Sequence, residues 1–151
     1  WGAELGAAYE VSDSLKLRGS LGYLHTRINR FSSLDGQAFV GNRFGSSPRY
    51  TLSAGVDWDI TDQVSLRADV RHSDGYFSSD ENLAAYRIGG YTVGNVQGAW
   101  QLTRDWELYG YVDNVFDAKK PTLKYDDRTA GGIVASMLEP RTVGVGVRFS
   151  F

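Results

Sequence analysis

The residue types that could do chemistry in this 151-residue chain are few, and their spacing rarely suits a reaction. Cysteine is absent, which excludes a disulfide framework, thiolate metal sites and a cysteine nucleophile. The two histidines, His25 and His72, lie far apart. They make a metal pair only if the fold joins them, and otherwise read as loop or interfacial residues. Asp57, Asp59 and Asp69 with Arg67 and Arg71 could suggest acid–base work. On adjacent strands of one polar face, however, they form a lattice of opposite charges. "DNVFD" (113–117) has acidic ends but lacks the carbonyl spacing and second acidic cluster of a calcium loop. It reads as a strand-end turn in which Asn114 and Asp117 cap backbone. "GVGVRF" (144–149) lacks the strand–turn–helix setting of a nucleotide loop. No Ser–His or Asp–His constellation can be assembled, so no catalytic residue, cofactor or metal is expected. What remains is a set of cations and rings: Arg27, Arg30, Phe31, Phe39, Arg43, Phe44, Arg49, Tyr76, Phe77, Lys119, Lys120, Lys124 and Tyr125. Guanidinium forks and aromatic faces suit an anionic, ring-bearing ligand. Aromatic platforms equally suit a glycan, and ordinary solvated loops would contain the same residues.

The elements that carry these residues have a period of two. In "YTLSAGVDWDI" (50–60), Tyr50, Leu52, Ala54, Val56, Trp58 and Ile60 share one face, and Thr51, Ser53, Gly55, Asp57 and Asp59 the other. The same alternation runs through 1–11, 15–23, 64–71, 94–102, 106–113 and 143–151, which predicts about seven strands and no helix. Three connections are tight, at 12–14, 61–63 and 103–105, and three are long, at 27–47, 73–89 and 118–139. The expected fold is all-β: an antiparallel meander with one plain end and one elaborated end. Net charge is −2 and no basic patch stands out, which argues against a nucleic-acid partner.

A soluble sandwich would also alternate, so the aromatics decide. Tyr9, Trp58, Trp100, Trp106, Phe149 and Phe151 gather beside the tight turns. Trp1, Tyr23 and Tyr50 lie toward the long loops, with Leu, Val, Ala and Gly between. Two aromatic bands flanking a small apolar zone match the two interfaces of a bilayer crossed by tilted strands. Short turns then belong on the periplasmic side and long loops outside. Seven strands are an odd number, and open edges are not viable in lipid. The expectation is therefore the last part of a larger transmembrane β-barrel, residues 1–151 being one portion of its wall.

Two stretches carry a family likeness. "YGYVDNVFDAKKPT" resembles the Asn-Leu-Phe-Asp box near the end of TonB-dependent outer-membrane receptors, here Asn114, Val115, Phe116 and Asp117. "EPRTVGVGVRFSF" resembles their closing strand, from Pro140 and Arg141 to Phe151. Val115 replaces the usual Leu, and Pro121 stands where an aromatic is frequent. The resemblance implies the C-terminal segment of a barrel of about 22 strands in a Gram-negative outer membrane. It also implies uptake of a large, scarce nutrient such as a ferric siderophore, coupled to the TonB complex through a plug domain outside these residues. Val147, Phe149 and Phe151 would serve as the signal read by the outer-membrane assembly machinery. The alternatives are a small barrel enzyme and a structural or adhesive barrel without transport.

Overall fold

The computed structural model describes residues 1–30 and 39–151. Seven long strands build one sheet: β1 (Gly2–Ser12), β2 (Leu15–Leu24), β3 (Tyr50–Asp59), β4 (Val64–Ser73), β7 (Tyr91–Gln101), β8 (Trp106–Asp113) and β11 (Thr142–Phe149). Every neighbour pair is antiparallel, and the spatial order follows the chain order. Two short hairpins stand on the long connections: β5 (Tyr76–Phe77) with β6 (Arg87–Ile88), and β9 (Pro121–Asp127) with β10 (Gly132–Met137). These hairpins depart from the expectation of plain loops.

The register carries the predicted faces across the whole sheet. Leu21 opposes Leu52, Val56 opposes Ala68, Ala68 opposes Val96, Val96 opposes Val112, and Val112 opposes Val143. Directly opposed residues share a face, so the apolar sets coincide from β1 to β11. Lys16–Asp57, Asp57–Arg67 and Arg148–Glu107 align in the same way on the polar face.

Each tight turn starts with a hydroxyl that caps a following amide. Ser12 Oγ accepts from Ser14 N–H, Thr61 Oγ1 from Val64 N–H at 3.0 Å, and Thr103 Oγ1 from Asp105 N–H. That is the hydroxyl turn chemistry expected of Ser and Thr. The strand at the chain end stops at Phe149, short of the predicted Phe151, although Ser150 N–H still bonds Asp105 carbonyl at 2.9 Å.

The sheet has no core of its own. The buried apolar residues among those described are Ile28, Tyr76 and Ile88, all in the long-loop region. Leu5, Leu52, Trp58, Val145 and Phe149 are exposed. Accessible surface is 10730 Å², against the roughly 7600 Å² that a folded monomer of this mass leaves exposed. Among the described residues nothing covers this wide apolar face.

Candidate functional site

The polar face holds a ladder of ion pairs. Asp57 accepts from Arg18 Nε at 2.9 Å and lies 3.9 Å from Arg67 Nε. Asp69 lies 3.8 Å from Arg71 Nε and accepts from Asn95 Nδ2 at 3.1 Å. Asp59 lies on this face without an ion pair among the described residues. These are the residues whose types could suggest acid–base chemistry, and the pairing commits the carboxylates of Asp57 and Asp69 to guanidiniums. The histidines stay apart: His25 stacks on Trp1, and His72 stacks on Tyr50 and bonds Thr92 Oγ1 through Nδ1 at 2.9 Å. Both mark the aromatic band beside the long loops. Among the described residues no group of three His, Cys, Asp or Glu could hold a metal.

The end of β8 turns on Asn114. It is buried and left-handed, with φ 51°, a conformation Asn tolerates. Its Oδ1 accepts from Ala118 N–H at 2.9 Å, and its Nδ2 donates to the Glu139 and Ala118 carbonyls at 2.9 and 3.2 Å. Its own N–H donates to Asn95 Oδ1 at 3.1 Å. Phe116 folds back over Gly94 on the apolar face, where a Cβ would stand 2.8 Å from the ring. Asp117 pairs with Lys119 at 3.1 Å. The Lys119 hydrogen bond, with the charges of Lys119 and Arg141 and Arg141's backbone N–H, outweighs partial desolvation and holds the Asp117 carboxyl below its ordinary value. The structure thus brings Asn114, Phe116, Asp117 and Arg141 to one corner, while Pro140 accepts from Thr142 Oγ1 at 3.2 Å.

The long loops interlock. Asn42 Nδ2 donates to the Asp80 and Glu81 carbonyls, and Asn82 exchanges bonds with Arg43 backbone at 2.8 and 2.9 Å. Gly45 N–H donates to Asp80 Oδ1 at 2.7 Å. Gly45 is required there, because a Cβ would stand 2.9 Å from Ser79 Cα. Ser46 N–H donates to the carbonyl of Phe77. The β9–β10 hairpin joins through Tyr76 hydroxyl to Thr122 carbonyl at 2.7 Å, Lys124 N–H to Ser78 Oγ at 2.8 Å, and Lys124 Nζ to Arg87 carbonyl at 3.1 Å.

The predicted loop residues divide accordingly. Tyr76 turns inward, and burial, then Tyr91, pushes its phenol up to about 12. Phe77 and Phe39 are half-buried, and Phe39's carbonyl accepts from Asn42 N–H. Arg27 and Arg30 are exposed on either side of buried Ile28; Phe44 and Tyr125 are exposed. Phe31 lies outside the described residues. Arg43 is half-buried, and burial, then Arg49, with Arg87 a smaller influence, hold its guanidinium below the ordinary range against Asp74. Among the described residues none of Arg43, Arg49 and Arg87 has a carboxylate within 4.0 Å, and the charges of Arg49 and Arg87 both bear on Arg43. Sequence reasoning missed Asn42, Asn82, Arg87 and Asn95. For Asn42 and Asn82 the available signal was asparagine in a long loop, where its side chain can bond backbone; Asn95, within β7, and Arg87 gave none.

A coreless antiparallel wall, ringed by aromatics at both ends and elaborated at one, is a portion of a transmembrane-type β-barrel. The chain belongs to the TonB dependent receptor-like β-barrel family, whose model matches residues 1–115. It is 29% identical over 122 residues to the ferric enterobactin receptor of Pseudomonas aeruginosa, covering 72% of this chain and 15% of that protein. It is 31% identical over 124 residues to the pesticin receptor of Yersinia pestis, covering 78% and 17%. The ferric yersiniabactin uptake receptor of Yersinia pestis superposes with a TM-score of 0.85 at 26% identity, over 99% of this chain and 23% of that one. The chain therefore spans less than a quarter of the length of these relatives. The family is one of transport receptors, and its members are outer-membrane barrels.

Proposed function

We propose that this chain is part of the wall and outer rim of a receptor that imports an anionic, metal-carrying ligand of the ferric siderophore class across a Gram-negative outer membrane. The observation that carries the reading is the gathering of Arg43, Arg49 and Arg87 at the rim, where the charges of Arg49 and Arg87 bear on Arg43 and Asp74 opposes them. Clustered cations held by a rigid scaffold attract an anion and speed its capture. The ligands in the names of the relatives are consistent with that cargo. Energy would come from the TonB complex, acting through a plug domain outside these residues. The assembly machinery would read Val147, Phe149 and Phe151.

The test uses the full receptor in an iron-starved strain that lacks other siderophore receptors. Arg43→Gln, Arg49→Gln and Arg87→Gln are combined, and uptake of radiolabelled ferric catecholate and ferric hydroxamate siderophores is compared. Loss of ferric catecholate uptake at unchanged receptor level, with the gap from wild type narrowing at high salt as screening removes the cations' pull, supports the reading. Unchanged uptake in the triple variant refutes it. A glycan-binding rim would keep its binding at high salt.

A further inference from the structure

The apolar face is not evenly filled. Ala54, Ala68 and Gly94 stand on three neighbouring strands, in the rows Ala54–Val70–Gly94 and Val56–Ala68–Val96. None of the three carries more than a methyl group. Phe116, 59% exposed, projects beside them from the turn after β8 with its ring against Gly94. The result is a cleft of about 340 Å³, lined by these four residues together with Val70 and Val96. Asp69 and Asn95 line it with backbone only, since their side chains bond each other on the opposite face.

The register sets the depth of this cleft. The row Leu52–His72–Thr92 lies one step nearer the long loops, and His72 stacks there on Tyr50 in the aromatic band. Two residues of a strand rise about 6.8 Å, and aromatic bands mark the membrane–water interface. The cleft therefore opens just below the interface, in the half of the bilayer on the long-loop side. Cations stand at the same end. Asp117 follows Phe116, and its carboxylate pairs with Lys119 at 3.1 Å and feels the charge of Arg141. Lys120 and Glu139 are exposed beside them. Three cations thus meet two carboxylates, and the corner above the cleft is net positive.

We infer that the cleft and this corner form a site for the phosphorylated, multiply acylated glycolipid of the outer leaflet. One acyl chain lies over Ala54, Ala68 and Gly94 with the Phe116 ring along its flank. A phosphate meets Lys119, Lys120 and Arg141. A chain held between a ring and a methyl-sized floor is covered on more than one side, and its gain grows with the apolar surface so covered. Lysine and arginine beside a membrane surface hold anionic head groups. General lipid contact requires neither feature, because a flat apolar wall without cations would meet lipid equally well. The inference rests on family membership and on the long loops facing outward, and it is independent of the cargo.

The test titrates the delipidated full receptor, in mild detergent, with bisphosphorylated lipid A and reads bound lipid by native mass spectrometry. Wild type should bind the same lipid without its phosphates about tenfold or more weakly, because the cations lose their partner. Ala54→Leu/Ala68→Leu fills the cleft and keeps the face apolar, and Lys119→Gln/Lys120→Gln removes two charges. Each should weaken binding of bisphosphorylated lipid A by about tenfold or more. The rim variant Arg43→Gln/Arg49→Gln/Arg87→Gln should bind it as wild type does, so a failed cargo reading leaves this result untouched. Equal binding of the two lipid forms, equal binding of phosphatidylglycerol, or full binding by the cleft-filled variant would each overturn the proposal. The comparison of lipid forms uses wild type alone and decides the matter even if a variant fails to fold.

Discussion

Replacing Asn114 separates what its side chain bonds from what its backbone conformation demands. Asn114→Ala removes three hydrogen bonds, one from Ala118 N–H and two to the carbonyls of Glu139 and Ala118. Each is worth about 1 kcal/mol net. Glu139 is exposed, so water satisfies its carbonyl after the change and the sum falls to about 2–3 kcal/mol. Alanine must also hold φ near 51°, which costs about 1 kcal/mol more. Asn114→Gly loses the same bonds without that strain. Hydrogen exchange by mass spectrometry on the purified receptor should show the peptide containing Ala118 opening about 100–1000-fold faster in the alanine variant, since about 1.4 kcal/mol is tenfold. The glycine variant should exchange about fivefold more slowly than the alanine variant, as about 1 kcal/mol requires. Asn114→Asp keeps the bond from Ala118 N–H but sets a carboxylate against two carbonyls, so it should open at least as fast as glycine. An alanine effect below tenfold, or glycine opening faster than alanine, would refute the reasoning.

Other consequences are equally direct. Ala68 opposes Val56 and Val96 midway along the apolar face, so Ala68→Arg should lower folding stability by about 2–4 kcal/mol, measured by refolding into vesicles in denaturant; the same change at Gln97, on the polar face, should cost far less. Asp117's folded pKa is depressed below its ordinary value of 3.8, so its contribution is present above that value and is lost as pH falls through the lower folded pKa. Protease cleavage within 118–139 should therefore rise only at acid pH below the ordinary value, and Asp117→Asn should cleave at the acid rate already at neutral pH. Phe151→Ala should slow receptor assembly in cells and leave precursor in the periplasm, while the assembled fraction melts close to wild type; normal assembly with reduced thermal stability would make Phe151 an interfacial anchor only.

The seven wall strands were legible because nothing blurred their alternation. A strand in a soluble core meets side chains of irregular shape, whereas the outward face here needs only to be apolar, so Leu52, Ala54 and Val56 keep strict parity. The tight turns were legible for a local reason: Ser12, Thr61 and Thr103 each cap an amide within three residues. The strand-end turn at Asn114 was legible too, down to its capping role. The rim was not. Asn42, Asn82 and Tyr76 act through bonds to residues 38 to 46 positions away, and no window along the chain contains both partners. The β9–β10 hairpin was hidden because Ile133 and Val134 are adjacent and break the alternation. Its turn rests on Asp127 Oδ1 accepting from Thr129 N–H at 2.8 Å. Arg87 escaped notice because its importance comes from its neighbours Arg43 and Arg49.

The interlocked loops also set a rule for anyone who would retarget such a receptor. Asn42 and Gly45 on one loop, Asp80 and Asn82 on the next, and Lys124 on the third satisfy one another's backbone. Grafting a single loop from a relative would strand donors and acceptors on the two that stay. The three loops therefore form one exchangeable cassette, and change in any one of them is tied to the sequences of the other two.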